Sequence, residues 1–339
     1  MSFTPMKNEY DLVISVVNYN GGGYINKCFD LLLKACLKIS GNIMIICVDN
    51  NSTDKSREII DQYKEIEKIY LKQNIGFAAA HNLILRKYDS KYFLLLNPDT
   101  LMNDELNLVK MMDYMDSHTN IAIATCSSYN ENNIRLPAIA HQPTLINGFA
   151  EQLKINTALR RSSLAREIGK KSGRIFPSIL NNFNSERHLS GSQEVNYVYG
   201  AYLILRKSAL DKIGIFDEHF FLFWEEIDLC IRAGKSGLKI GYNPDTSIIH
   251  MSQQSQKSVP ELSYYCHIAS YFWIFKKHYP IKLILWSIGT GVIQSISVLY
   301  KLITQNRKWM RPHLYLLLLS PFSTKNYIMQ MNAIKKLYT

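Results

Sequence analysis

The chain has 339 residues, 47% hydrophobic and 20% charged, a balance that gives one large domain or two moderate ones and excludes a disordered chain. Its six cysteines (Cys28, Cys36, Cys47, Cys126, Cys230 and Cys266) are scattered without a Cys-x-x-Cys pair, which argues against a disulfide framework or zinc site and for reduced, mostly buried thiols of a cytosolic protein. The net charge of +11 would suit a nucleic-acid binder, but from His250 to Thr339 eleven Lys or Arg face the single acid Glu261, and this basic stretch is so rich in Tyr, Trp, Leu and Ile that a membrane surface fits it better.

The N-terminus, MSFTPMKNEYDLVISVV, lacks the regions of a signal peptide, so this part of the chain is expected inside the cell. Strand-like runs then alternate with helical stretches: DLVISVVN, a helix from about Tyr24 to Ile39, NIMIICVD, a helix after Thr53, IEKIYLKQ, a helix from Gly76, and KYFLLLN. Such alternation predicts a mainly parallel sheet covered by helices. The runs ISVV, IMIICV and FLLL are continuous rather than alternating, as strands buried on both faces are. Chemistry in such sheets collects at the carboxyl ends of strands, where this sequence places NYN, DNNSTD, QNIGF and NPDT. A helix, NDELNLVKMMDYMDSH, and a strand, IAIATCS, follow. From about Tyr129 to Glu194 the pattern lapses, with a basic patch at Arg160, Arg161, Arg166, Lys170, Lys171 and Arg174; this predicts a long insertion, either a solvated loop or a lid or acceptor contact. Order resumes with a strand over VNYVYGAYLILR, a helix in FDEHFFLFWEEIDLCIRAGKSG, then KIGYNP and SIIH.

Three clusters carry candidate chemistry. NPDT (Asn97 to Thr100) ends an apolar strand; Asp99 or Thr100 is there to cap the next helix, or Asp99 binds a divalent cation that also touches a diphosphate. DNNSTDKS, from Asp49, is equally open, because Ser52 or Asp54 is a natural N-cap. Glu225, Glu226 and Asp228 open a helix, where its dipole favours carboxylates; they also follow FFLFW, and acids beside bulky apolar groups acquire a raised pKa suited to a general base. His250, ending SIIH, is a structural residue or a ligand.

Taken together, VVNYNGGGYINKC, IICVDNNSTDKS, QNIGFAAAHN, YFLLLNPDT and VYGAYLILRKSALDKIGIFDEHFFLFWEEIDLCIRAGKSGLKIGYNPDTSIIH resemble a family 2 glycosyltransferase of the rhamnosyltransferase and galactofuranosyltransferase-like branch. The resemblance runs from about Leu12 to His250 and implies an α/β, GT-A type Rossmann-like, mainly parallel sheet flanked by helices. It implies a glycosyltransferase domain over 1–250, with a nucleotide-binding half at about 11–127, a variable insertion at 128–193 and an acceptor and catalytic half at 194–250; residues 251–339 would form a helical, membrane-associated tail. By position Tyr19 and Asp49 would lie against the nucleobase, Gly76 and Asn82 would shape the nucleotide pocket, and Asn18, Asn51, Asn97 and Trp224 complete the expected substrate-binding set. NPD occupies the place of the family's DxD motif, so Asp99, with His250, would hold Mg2+ or Mn2+. The family's Glu-Asp pair is replaced by Glu225 and Glu226, so the base would be Glu226, one methylene longer, with Asp228 as the rival. The implied reaction is a metal-dependent, inverting displacement by an acceptor hydroxyl on a nucleotide sugar.

The segment Leu283 to Tyr300 has no charge and sits between Lys282 and Lys301. At eighteen residues diluted by Ser, Thr, Gln and Gly it predicts an in-plane or re-entrant helix rather than a full span, with a buried dimer-interface helix as the alternative. Anionic inner-leaflet lipids would attract Lys276, Lys277, Lys282, Arg307, Lys308 and Arg311, and LYLLLLSPF would add a second apolar contact. This suits a polyprenyl-diphosphate-linked glycan acceptor at the cytoplasmic face of the membrane, in cell-surface polysaccharide synthesis, with no nucleic-acid partner. The first expectation for the donor is dTDP-rhamnose, and the alternative UDP-galactofuranose or another UDP-hexose. Two rival classes remain: a non-catalytic nucleotide-sugar-binding protein, and a dinucleotide-dependent oxidoreductase, whose fingerprint would need a glycine where Asn26 stands after Gly21, Gly22 and Gly23.

Overall fold

The computed structural model describes residues 10–153, 191–251 and 260–303. The basic patch at 160–174, the segment LYLLLLSPF, and Arg307, Lys308 and Arg311 lie outside these described residues. The first part alternates β1 (Tyr10–Asn18), α1 (Ile25–Cys36), β2 (Ile43–Asp49), α2 (Ser56–Ile60), β3 (Glu67–Tyr70), α3 (Phe77–Lys87) and β4 (Ser90–Leu96). All the pairings among these strands are parallel, in the order β3-β2-β1-β4. Their continuous apolar runs are explained by two-sided burial. Leu12, Ile14, Val16, Tyr92, Leu94 and Leu96 point into one core with Phe29 and Leu32 of α1. Val13, Val17, Phe93 and Leu95 point into the other with Ala80 and Ile84 of α3, the alternation a pleated strand requires.

The second part comprises β5 (Thr100–Leu101), α4 (Asn107–Ser117), β6 (Ile121–Tyr129), β7 (Arg135–Leu136), α5 (Leu145–Gln152), β8 (Gln193–Val195), β9 (Tyr202–Arg206), α6 (Lys207–Ile213), α7 (Glu225–Lys235) and β10 (Lys239–His250). It extends the same sheet as β4-β9-β6-β10-β5. β9 is antiparallel to both β4 and β6, so the sheet is mixed, parallel in its first half and from β6 to β10. Helices cover both faces, α1 and α4 on one and α3, α6 and α7 on the other.

Three local departures from the predicted elements have physical causes. The run VNYVYGAYLILR divides into β8 and β9, and the loop between them carries Tyr199, Gly200 and Ala201 to the cavity described below. KIGYNP and SIIH form one strand, whose register shifts between Asn243 and Ser247 and so accommodates Pro244, which cannot donate to the ladder. The NPDT segment does not cap a helix: α4 begins seven residues later with Leu106 as its N-cap, and Thr100–Leu101 pairs instead with Ile249–His250.

The chain ends its described course in a helical hairpin, α8 (Pro260–His278) and α9 (Pro280–Ile303). Their aromatic core joins Tyr271, Phe275 and Trp286 to Phe220, Phe221 and Trp224, and Trp286 stacks on Phe149 of α5 at 5.1 Å. Pro280–Tyr300 is long and apolar enough to cross a membrane, with mean hydropathy 1.6; it extends beyond the eighteen residues read from the sequence.

Candidate active site

A cavity of about 330 Å3 opens at the carboxyl ends of the parallel strands. On one wall stand Tyr19 after β1, Asn50 after β2, Asn74 and Gly76 after β3, and Asn97, Pro98 and Asp99 after β4. The facing wall is the loop before β9 with the turn Phe221–Phe223 and the first residues of α7, Glu225 and Glu226. Ile248 and His250 close one side and Ser263 of α8 another.

Local chain geometry fixes the first wall. The Asn50 side chain donates to Gly76 O at 3.2 Å and accepts from Ile75 N at 2.9 Å, holding the two loops together. The Asn97 to Thr100 turn is closed by Thr100 N donating to Asn97 O, and Asn97 N donates to Ala201 O at 3.0 Å. Because Thr100 pairs with His250 across β5 and β10, Asp99 Oδ1 lies 3.3 Å from His250 Nε2. Asp99 is 6% exposed, so this carboxylate and imidazole form a compact pair on the cavity wall. Among the described residues no cluster of three or more His, Cys, Asp or Glu is arranged to hold a metal ion. The Asp99–His250 pair fits a cation whose other ligands are substrate oxygens and water, the usual condition of Mg2+ in phosphate sites.

On the opposite wall the backbone is strained. Phe223 and Trp224 both take left-handed conformations, φ 70° and 73°, which cost non-glycine residues ~1–3 kcal/mol each. The result is a sharp entry into α7 that turns Glu225 and Glu226 inward, where both are buried and each keeps one carboxylate oxygen without a hydrogen-bond partner among the described residues. Burial raises the Glu226 pKa to about 7, partly offset by main-chain groups of Trp224 and Gly200 and by His267. Glu225 is raised well above the carboxylate range by burial and by the neighbouring Glu226 charge. Of the two acids on this wall, Glu226 is the one brought near neutral pH, while Glu225 is biased toward its protonated form.

The other candidates stand elsewhere. Asp228 points away from the cavity and meets Arg232 at 2.8 Å, Lys277 at 2.9 Å and His278 at 2.7 Å. Burial pushes its pKa upward, but His278, Arg232 and Lys277 outweigh this and hold it below the carboxylate norm. Asp49 is fully buried behind the wall; its oxygens accept from Asn18 Nδ2, Ser52 N and Arg57 Nε. Asn18 also reaches Ser52 Oγ at 3.0 Å. Asn51 takes a left-handed turn conformation, φ 68°, and does not line the cavity. Asn82 ties the Phe216 backbone and Glu218 to α3. Trp224 donates its indole N–H to His267. Asp54 accepts from Gly22 N at 2.8 Å and Ser56 N at 3.0 Å, pinning the two glycine- and serine-rich loops together. Asn50, Asn74 and the Tyr199–Ala201 loop line the cavity without having been singled out in the sequence. Asn50 and Asn74 sit inside the polar clusters at strand ends, a signal that was available; the approach of the loop before β9 depends on β4–β9 pairing, which leaves no local trace.

A sequence model of the family described as glycosyl transferase family 2 matches residues 13–214. Among curated proteins the chain is 25% identical to the low-salt glycan biosynthesis hexosyltransferase Agl10 of Haloferax volcanii, over 71% of this chain and 67% of that protein. It is 21% identical to the rhamnosyltransferase WbbL of Escherichia coli K12, over 76% and 90% of the two chains, and 20% identical to an N-acetylglucosaminyl-diphospho-decaprenol L-rhamnosyltransferase of Mycobacterium tuberculosis, over 79% and 85%. Among solved structures, S. aureus TarS in complex with UDP superposes with a TM-score of 0.51 at 14% identity, covering 97% of this chain and 83% of that one. A mannosyltransferase from Pyrobaculum calidifontis in complex with GDP-Man and Mn2+ gives 0.50 at 13%, covering 98% and 88%. These structural likenesses concern the fold. With a GT-A type mixed sheet flanked by helices and the family's sequence model spanning more than half of its length, the chain belongs to glycosyl transferase family 2 and is a glycosyltransferase of the rhamnosyltransferase-like branch.

Proposed function

We propose that the chain is an inverting glycosyltransferase that moves a hexose, L-rhamnose from dTDP-rhamnose in the first instance, to a hydroxyl of a lipid-linked glycan during surface-polysaccharide synthesis. The observation that carries this reading is one cavity with two buried carboxylates on one wall and the Asp99–His250 pair on another. The relatives include a rhamnosyltransferase named for a diphospho-decaprenol acceptor, which supports a lipid-linked acceptor and, with it, work at the inner membrane surface.

In this mechanism Glu226 takes the proton of the acceptor hydroxyl as that oxygen bonds to the anomeric carbon from the face opposite the nucleotide. The bond from that carbon to the diphosphate oxygen breaks, its electron pair leaves with the nucleoside diphosphate, and the configuration inverts. Glu225, protonated beside it, keeps a second negative charge away from the base. Tyr19, Asn50 and Asn74 line the part of the cavity suited to the nucleoside, and Asp49, buried behind them, braces the β1 and β2 loops through Asn18 and Ser52. Asp99 and His250 would hold Mg2+ or Mn2+, which when bound stabilises the negative charge of the departing diphosphate.

The test is a thermal-shift and product-release screen of dTDP-rhamnose, UDP-galactofuranose and UDP-hexoses, with and without Mn2+. One donor should stabilise the wild type only with metal. Asp99→Ala should abolish that response, and Glu226→Gln should keep binding while losing at least ~100-fold in turnover. Full turnover by Glu226→Gln would remove Glu226 as the base, and donor stabilisation independent of metal would remove the metal from the mechanism.

A further inference from the structure

We propose that His267 of α8 is a positioning residue for Glu226, holding the strained Phe223–Trp224 turn in place through the Trp224 indole and setting its own dipole or charge toward the carboxylate. The inference rests on Glu226 being the base. Trp224 donates its indole N–H to His267 Nδ1 at 3.0 Å. An indole can only donate, so Nδ1 must carry a lone pair and the imidazole proton sits on Nε2. Three rings frame the imidazole: Phe223 edge-on at 5.2 Å, Trp224 at 5.7 Å and Tyr271 at 6.0 Å.

Phe223 and Trp224 are the two left-handed residues that immediately precede the glutamates. Within the turn the Trp224 main chain meets the Glu226 carboxylate, but α7 has no side-chain cap at its N-terminus. Contacts from α8 add to the Phe77 N–H bond to Phe221 O, with Trp224 packed on Tyr271 at 4.1 Å and bonded to His267. Glu226 follows within one helical step, and His267 lies close enough to favour its ionised form. Two demands therefore meet on one ring. The indole requires an unprotonated Nδ1, and the carboxylate favours positive charge on the imidazole, so protonating His267 fully would release Trp224. Among the described residues, the ionisable groups near this pair include Tyr271 and Cys266 on α8, Glu225 on α7 and Cys230 on its inner side, with Asp99 and His250 across the cavity. The sequence offers no hint of this arrangement, because His267 lies 41 residues beyond Glu226 in a helix that only the fold brings back.

The test needs no donor for its first part. In full-length protein labelled with 15N-histidine, the His267 resonance, assigned by its loss in His267→Gln, should report the Nε2–H tautomer at pH 7.5, and Trp224→Phe should abolish that preference. Glu226→Gln should lower the His267 titration midpoint by about 0.5 or more, the reciprocal of the carboxylate's effect. For the second part, release of nucleoside diphosphate from dTDP-rhamnose or UDP-hexose is followed against pH. His267→Gln, whose amide oxygen still accepts the indole N–H, should keep the high-pH turnover within ~3-fold while its acidic limb moves upward. His267→Phe, which loses both functions, should lose ~30-fold or more at every pH with the donor KM unchanged. An Nδ1–H tautomer, an unmoved midpoint in Glu226→Gln, or an unchanged pH profile in both His267 variants would overturn the proposal while leaving Glu226 as base. Full turnover by Glu226→Gln would instead remove the base itself, and the positioning role with it.

Discussion

Three acids open α7 within four residues, and the fold gives them opposite work. Glu225 and Glu226 face the cavity, each with one oxygen unpartnered among the described residues, whereas Asp228, two residues beyond Glu226, is locked by Arg232, Lys277 and His278. That division has a consequence for stability. Burial holds the Glu226 proton up to about 7 instead of the ordinary 4.5, so the folded chain binds more protons than the unfolded chain between those values. Stability from this group is therefore highest below pH 4.5, falls as pH rises to about 7 and is flat above. Glu226→Gln cannot ionise and also relieves the neighbouring Glu225, so it should be more stable than wild type at pH 8 by about 1–3 kcal/mol and equal to it at pH 4. Urea denaturation at the two pH values measures this, and equal wild-type and variant stability at pH 8 would mean the carboxylate is not buried. The sequence placed all three acids at a helix start and the family resemblance favoured Glu226 over Asp228, but their spacing alone leaves open which side of the helix meets the cavity. Asp99 and His250 were each legible as candidates; their 3.3 Å approach comes from the two-residue strand β5, too short to leave a pattern.

Elements of the parallel half were legible for a simple reason: strands buried on both faces are written as continuous apolar runs, and the polar residues that end them mark the loops that converge. Where pairing is antiparallel and long-range, as for β9 between β4 and β6, the run of residues shows a strand but not its neighbours. The hairpin of α8 and α9 shows a further limit. Leu283, Trp286, Thr290 and Gln294 turn inward to the protein, with Gln152 donating to Thr290 at 2.9 Å and Gln294 donating to Gln152 at 2.8 Å. Thr290 and Gln294, two of the polar residues that dilute the segment's hydrophobicity, thus belong to its packed side, whereas Ser295 is exposed. Ile284, Leu285, Ile288, Val292, Ile296 and Leu299, each more than half exposed, form the outer side. Lys276 and Lys282 flank it near the hairpin turn, with their ammonium groups over Trp273 and Tyr279. Lys277, expected among the lipid-facing cations, instead bridges Asp217 and Asp228. A helix with one packed and one apolar exposed side suits an in-plane position at a bilayer surface. Ile288→Glu combined with Val292→Glu should reduce cosedimentation with anionic vesicles by ~10-fold or more and leave the melting temperature unchanged, since neither side chain contributes to the core. Unchanged cosedimentation would exclude this side of α9 as the lipid contact.

At the scale of the whole molecule, the first half of the chain, β1 to β4, and the second, β5 to β10, share one sheet and meet again at a close contact beside the cavity. Gly76 is the meeting point. Its φ of 89° is left-handed, and a Cβ there would lie 2.5 Å from Phe221 O and 2.7 Å from Phe221 Cδ2. The same carbonyl accepts from Phe77 N at 2.8 Å, so the loop after β3 is hydrogen-bonded directly to the turn that delivers Glu225 and Glu226. Asn82, one helical turn and a half further along α3, adds a second clasp by accepting from Phe216 N and donating to Phe216 O. Gly76→Ala must push the Phe221 turn outward as well as bear the backbone penalty, a combined cost of about 2–4 kcal/mol. Asn82→Ala leaves Phe216 with unpaired buried groups at about 1–3 kcal/mol but does not move the cavity wall. Both variants should lower the urea midpoint, whereas only Gly76→Ala should reduce turnover when both are assayed well below their melting temperatures. If turnover followed stability alone in the two variants, the contact would serve the fold without setting the distance across the cavity. Loss of turnover confined to Gly76→Ala would mean that the position of the glutamates is governed from the loop after β3, through a backbone contact that only glycine permits.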